Sequence, residues 1–181
     1  METNATISGK RPIGLIVGLI AGACFVVFMT VLYKSGVETY MGSLARVGYV
    51  LIIFFAVAAC LFLRKAHGGA LEFMVAVRTA FTVFVIALLM QTLFVWWLVN
   101  HFDLHFKEVL TKAIEEKTIA TYRQFGMPEY KIDEQMAESK GKDQFTLGGM
   151  LTALAFVYIV FFIISLVIAG IVKKKKGEPG V

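Results

Sequence analysis

Charge is scarce in this chain. Asp, Glu, Lys and Arg make up 17% of its 181 residues, where an ordinary soluble domain carries about 25%. The shortage falls in long stretches with no charge at all. A soluble core helix shows polar residues every few positions on its wet face, so these stretches exclude a soluble helical domain. Cysteine is nearly missing too. Cys24 and Cys60 are the only two, and both sit inside apolar runs. That excludes a disulfide framework, which needs pairs in an oxidising aqueous compartment, and leaves both as small packing hydrophobes. One of the three histidines, His67, lies in His67-Gly68-Gly69, which reads as a tight exposed turn rather than a ligand site.

Other absences narrow the function. No basic face carries interleaved aromatics, so nucleic acid is not an expected partner despite the net charge of +5. No acidic residue lies near the middle of an apolar run, where a proton relay would place one, and no inverted repeat or pair of broken helices is visible. A polar pore lining is missing as well. Acid, base and nucleophile groups do not converge, so the expectation is a protein that is not an enzyme and holds no cofactor.

What the chain has is hydrophobic length. Apolar residues make up 58% of it, and they gather in runs of the length that spans a bilayer, about 20 residues at 1.5 Å each. The reading is an all-α membrane protein with four transmembrane helices, at residues 12–33, 44–63, 79–100 and 145–172. Residues 1–11 form an N-terminal segment. Lys10 and Arg11 before the first run resemble a signal peptide, but the run is longer than a signal core and no small-x-small cleavage site follows, so it reads as a retained span. The Asn4-Ala5-Thr6 sequon then carries no weight. Pro12 suits a first helical turn, and Arg46 lies where it can snorkel to headgroups.

The third apolar segment is too long for one perpendicular crossing. Its beginning, residues 70–78, contains Glu72 and Arg78 and reads as an interfacial start, with the crossing opening near Arg78. Trp96 and Trp97 at its far end suit an interface anchor. Gln91 and Thr92 fall at depth, where helix–helix hydrogen bonding is the expected use.

Residues 101–144 change character. Between Asn100 and Gln144 the chain has nine acidic residues, from Asp103 to Asp143, against seven basic ones, from Lys107 to Lys142. Two helices are predicted, 104–125 and 129–140, broken by Gly126 and Pro128. Glu108 and Lys112 would pair at i,i+4. The result is a charged helical hairpin between spans 3 and 4. His101 and His105, with Asp103 between them and Glu108 beyond, would share a helix face at a spacing zinc sites use. Two histidines and one carboxylate fall short of a site, so they stand only as weak metal candidates.

Small residues mark helix contacts. Gly14, Gly18 and Gly22 form one stripe, Gly149 and Ala153 a pair, and Ser165 and Ala169 another. Such spacing lets a second backbone come close, from a span of the same chain, a second copy or another membrane protein. Orientation follows from loop charge. Lys10, Arg11, Arg64, Lys65 and Lys173, Lys174, Lys175 and Lys176 all fall on one side of a four-span chain. Positive residues stay inside, which predicts both termini in the cytoplasm, a hairpin in the periplasm, and a basic tail over residues 173–181 near membrane lipids.

The segment Gly69-Ala70-Leu71-Glu72-Phe73 leading to Val77-Arg78, the stretch from Phe125-Gly126-Met127-Pro128 to Lys131-Ile132-Asp133, and a last span followed by a lysine cluster together resemble an uncharacterised membrane family, domain of unknown function 4199. The resemblance covers about 110 residues well and the first two spans by pattern. It implies a bacterial protein, of a type found mostly in Bacteroidota, with four spans and no known catalytic residues. The functional expectation is a non-enzymatic accessory or scaffold subunit of a bacterial inner-membrane complex. A small transporter or permeability factor dependent on Glu72 or Arg78, and a membrane enzyme using His101, Asp103 and His105, are the alternatives.

Overall fold

A computed structural model describes residues 13–139 and 143–173. The expected N-terminal segment with Lys10, Arg11, Pro12 and its sequon, Lys140 and Lys142 of the insert, and the tail from Lys174 onward lie outside the described residues. The helices, in chain order, are α1 (Ile13–Lys34), α2 (Val37–Tyr40), α3 (Ala45–Ala66), α4 (Phe73–Trp97), α5 (Leu104–Gln124), α6 (Glu129–Ser139) and α7 (Leu147–Val172). A π-helical turn, Leu98–Phe102, prolongs α4. The fold is all-α. Four of its helices, α1, α3, α4 with its π turn, and α7, are long and apolar enough to cross a membrane.

α4 is the hub of the bundle: it packs on α1, α3 and α7, whereas α3 and α7 touch each other only slightly. Its buried face is built from short or branched side chains, Ala76, Ala80, Val83, Ala87 and Thr92, with Phe84 among them. Short side chains on one helix and glycines on another let two backbones approach, the usual route to helix association where lipid removes any hydrophobic advantage. Thus α1 runs parallel to α4 with Gly14 beside Thr79 and Thr82, Gly18 beside Val83 and Ile86, and Gly22 beside Ala87 and Met90. α7 runs antiparallel to α4, with Phe161 on Phe84 at 4.8 Å and Phe162 on Phe81 at 5.4 Å between ring centroids. Phe25 of α1 lies over Gly48 of α3 so closely that an added Cβ would sit 2.2 Å from its ring.

The two ends of the bundle differ. One gathers the start of α1, the end of α3 and the start of α4. There Arg64 Nε donates to the Gly69 carbonyl at 3.1 Å, and the Lys173 ammonium stands 5.8 Å above the Phe73 ring. Gly68 and Gly69, at φ of 71° and 89°, make the turn between them. The other end carries α2, α5 and α6.

The helix of the third span starts at Phe73 and runs unbroken through Arg78; Glu72 stands at its N-cap position, and both Glu72 and Arg78 are exposed. Two expectations change. The helix shared by His101 and His105 does not exist: the π turn ends at Phe102, and Asp103 is extended, with φ −142° and ψ 90°. Glu108 and Lys112 do not pair. The ion pairs among the described residues are Lys107–Asp143 and Arg123–Glu129. A wet i,i+4 pair is worth only a few tenths of a kcal/mol, too little to hold two long side chains.

Candidate functional site

Two places in the described structure hold polar side chains where their placement matters. The first is the clasp that fastens the α5–α6 hairpin to the bundle. α5 opens at Asp103, whose carboxylate accepts the Phe106 N–H at 2.8 Å and so caps the helix. The same carboxylate accepts the Tyr33 hydroxyl at 2.6 Å, from the last turn of α1. Tyr33 then packs edge-on against Phe106 at 4.7 Å, and Tyr40 of α2 does so from another side at 5.3 Å. Further along α5, the Lys117 ammonium donates to the Met41 carbonyl. The hairpin is therefore held along α2, not only at its root.

The clasp has a second strap. Lys107 donates to the Asn100 side-chain carbonyl at 2.8 Å and pairs with Asp143 at 2.6 Å. The Asn100 amide donates to the Phe145 carbonyl at 3.0 Å, and Asp143 accepts the Phe145 N–H at 2.9 Å. One network thus joins the end of the third span, the start of α5 and the segment entering α7. Both carboxylates are held below the ordinary aspartate range. For Asp103 the Tyr33 hydroxyl is the main cause and the Phe106 N–H the next; for Asp143 it is Lys107, then the Phe145 N–H.

The second place is a groove of about 180 Å³ open on the flank of the bundle, lined by Tyr49, Leu88, Gln91, Thr92, Met150, Ala153, Leu154 and Val157. It exists because α3 and α7 both pack on α4 and barely on each other. Its floor is Gln91 and Thr92 of α4. Thr92 is 7% exposed, yet its hydroxyl does not donate to the carbonyl four residues back. The hydroxyls of Thr79, Thr82 and Thr152, elsewhere in the spans, do so at 2.7 to 2.9 Å. Among the described residues neither the Gln91 amide nor the Tyr49 hydroxyl has a hydrogen-bond partner. Among the described residues no fully buried polar side-chain atom lacks a partner, so the Gln91 and Thr92 groups are ones that open to the groove, as the exposed Tyr49 does at its edge. In hydrocarbon an unsatisfied polar group is costly, several kcal/mol at the upper end.

The other sequence-predicted residues scatter. Gly14, Gly18 and Gly22 are buried against α4. Ser165 and Ala169 are buried as well, with the Ser165 hydroxyl on the Phe161 carbonyl at 2.8 Å. Gly149 and Ala153 are exposed on α7. Trp96 packs against His101 at 5.0 Å and Trp97 against Phe102 at 5.5 Å, both in tilted arrangements at the hairpin end. Arg64, Lys65 and Lys173 stand at the opposite end, and Lys10, Arg11 and Lys174 to Lys176 are not described. His101 and His105 are exposed. Among the described residues no three His, Cys, Asp or Glu side chains converge on a point where a metal could sit, and Asp103 is already engaged twice. Sequence reasoning passed over Tyr33, Tyr49, Asn100 and Lys107. Only the position of the two tyrosines, one turn from a span end where aromatic belts occur, could have singled them out.

The profile of a family described as a protein of unknown function (DUF4199) matches residues 13–174. No curated protein and no solved structure matches the chain.

Proposed function

The chain belongs to the DUF4199 family, and from that premise we propose that it is a non-enzymatic accessory or scaffold subunit of a bacterial inner-membrane complex. Both termini lie in the cytoplasm in this reading and the α5–α6 hairpin on the periplasmic side, because Arg64, Lys65 and Lys173 gather at the end opposite the hairpin and basic residues resist translocation.

The observation that carries the reading is a hairpin fixed firmly yet left uncovered. Phe106, Leu110 and Ile132 are its buried side chains, and they serve its attachment and its own closure. Around its turn Phe125 is 83% exposed and Tyr130 67% exposed, beside an Arg123–Glu129 pair at 2.8 Å. Large exposed aromatics set among charges on a rigid mount suit a protein contact. Glu72 and Arg78 are exposed rather than turned into the bundle.

Purification from native membranes in mild detergent tests this. A membrane protein should accompany the chain in fixed stoichiometry, and Phe125→Ser with Tyr130→Ser should weaken its retention. A clean monomer whose deletion disturbs no complex would refute the proposal.

A further inference from the structure

The size, depth and chemistry of the groove between α3 and α7 restrict what it can seat. At about 180 Å³ it falls below the 300 Å³ at which pockets begin to hold drug-sized ligands. It is large enough for one side chain. Gln91 stands six positions before Trp97 on α4, about 9 Å deeper than the tryptophan at 1.5 Å per residue. Lipid headgroups stay at the level of the aromatic belt, which Tyr49 marks at the mouth of the groove, so a headgroup reaches the mouth but not Gln91 on the floor.

The groove also has a hydrogen-bonding pattern. Gln91 offers two donors and an acceptor, while Thr92 and Tyr49 each offer a hydroxyl that donates or accepts. The matching group is a single amide, hydroxyl or carboxyl. Beside the groove, the α7 edge presents Gly149 and Ala153 exposed, and an added Cβ at Gly148 would meet nothing within 4 Å. A backbone can therefore come close along that edge and deliver one side chain inward. A second copy of this chain has little to supply. On α7, the helix a symmetric second copy would bring to this edge, the exposed side chains apart from Thr152 are aliphatic or Phe, and the Thr152 hydroxyl already donates to Gly148.

We propose that the α3–α7 groove is the seat for one polar side chain of a membrane helix from a partner protein, which runs along the Gly149–Ala153 edge of α7 and hydrogen-bonds Gln91, Thr92 and Tyr49. This deepens the subunit reading and rests on it: it assigns an intramembrane contact surface in addition to the hairpin.

The test places a photo-crosslinking amino acid at Ala153 of the full chain in native membranes, with a control probe at Val167, also exposed on α7. The expected result is one protein adduct from Ala153 and none from Val167, with the crosslinked peptide mapping to an apolar helix of another protein beside a polar residue. Gln91→Leu with Thr92→Val keeps the span apolar and should lower the adduct yield about tenfold, the scale of one or two lost interhelical hydrogen bonds. Equal membrane levels of parent and variant verify folding, and Gln91→Asn should retain part of the yield. Adducts to lipid alone, to a second copy, or unchanged by the double substitution overturn the proposal. If a partner still co-purifies in those cases, the groove assignment falls and the subunit reading stands. If none does, both fall.

Discussion

Two sets of small residues in this chain have opposite fates. On α1, Gly14, Gly18 and Gly22 are spent inside the protein: each faces α4 so closely that a Cβ would fall between 2.7 and 3.1 Å from its nearest neighbour. On α7, Gly149 and Ala153 have the same four-residue spacing but are exposed, and a Cβ at Gly149 would meet only the start of its own helix. Spacing alone makes close approach possible. Whether the approaching helix belongs to the same chain depends on what stands opposite.

The sharpest way to break that contrast is a large side chain in each place. Gly18→Leu drives a branched side chain into Val83 and Ile86, and should cost at least the 1–3 kcal/mol typical of overpacking, read as a large fall in thermal midpoint and in monodisperse yield from detergent. A smaller loss is expected for Gly48→Ala, about 1–2 kcal/mol, because its methyl presses on the buried Phe25 ring. Phe25→Leu in the same chain should recover part of that loss, a coupling that a double-mutant cycle measures.

Next comes the clasp. Asp103→Asn removes the charge that both the Tyr33 hydroxyl and the Phe106 N–H favour. It should speed amide exchange in the first turn of α5 while leaving α4 protected. Acid should do the same to the native protein. Asp103 and Asp143 have folded pKa values below their unfolded ones, so their contribution is complete above about pH 4, the unfolded aspartate value. It is lost as pH falls through the lowered folded values. Exchange in α5 that stays constant down to pH 2 would contradict this. The smallest effect belongs to Ala153→Leu, which should leave the thermal midpoint of the isolated protein within about 0.5 kcal/mol of the parent's stability, as exposed substitutions do. Its consequence should appear only in the native membrane, as loss of the partner contact.

Much of the architecture was legible because the membrane simplifies the code. A run such as residues 147 to 166 admits one reading, since hydrocarbon leaves backbone groups no partner but their own helix. The break at Gly126 was equally plain: Gly126 takes φ of 74°, and Pro128 follows. The clasp was not legible. Tyr33 and Asp103 are 70 residues apart, and nothing in either local pattern names the other. Lys107 looked like one more charge on a wet helix, yet it joins Asn100 to Asp143. The histidine pair misled because its four-residue spacing presumes an unbroken helix, and Asp103 stops one there to begin the next.

The sequence by itself determined that this protein is helical, that four of its helices are long and apolar enough to cross a membrane, and that one charged insert stands apart. Those outcomes depend on local hydrophobic length and on turn residues, which act at short range. Tertiary structure alone decided which small residues are buried, which carboxylates hold the hairpin, and that Tyr49, Gln91 and Thr92 line one groove. These depend on which faces of α3, α4 and α7 meet, and a helix shows its sides equally in sequence until another helix covers one of them.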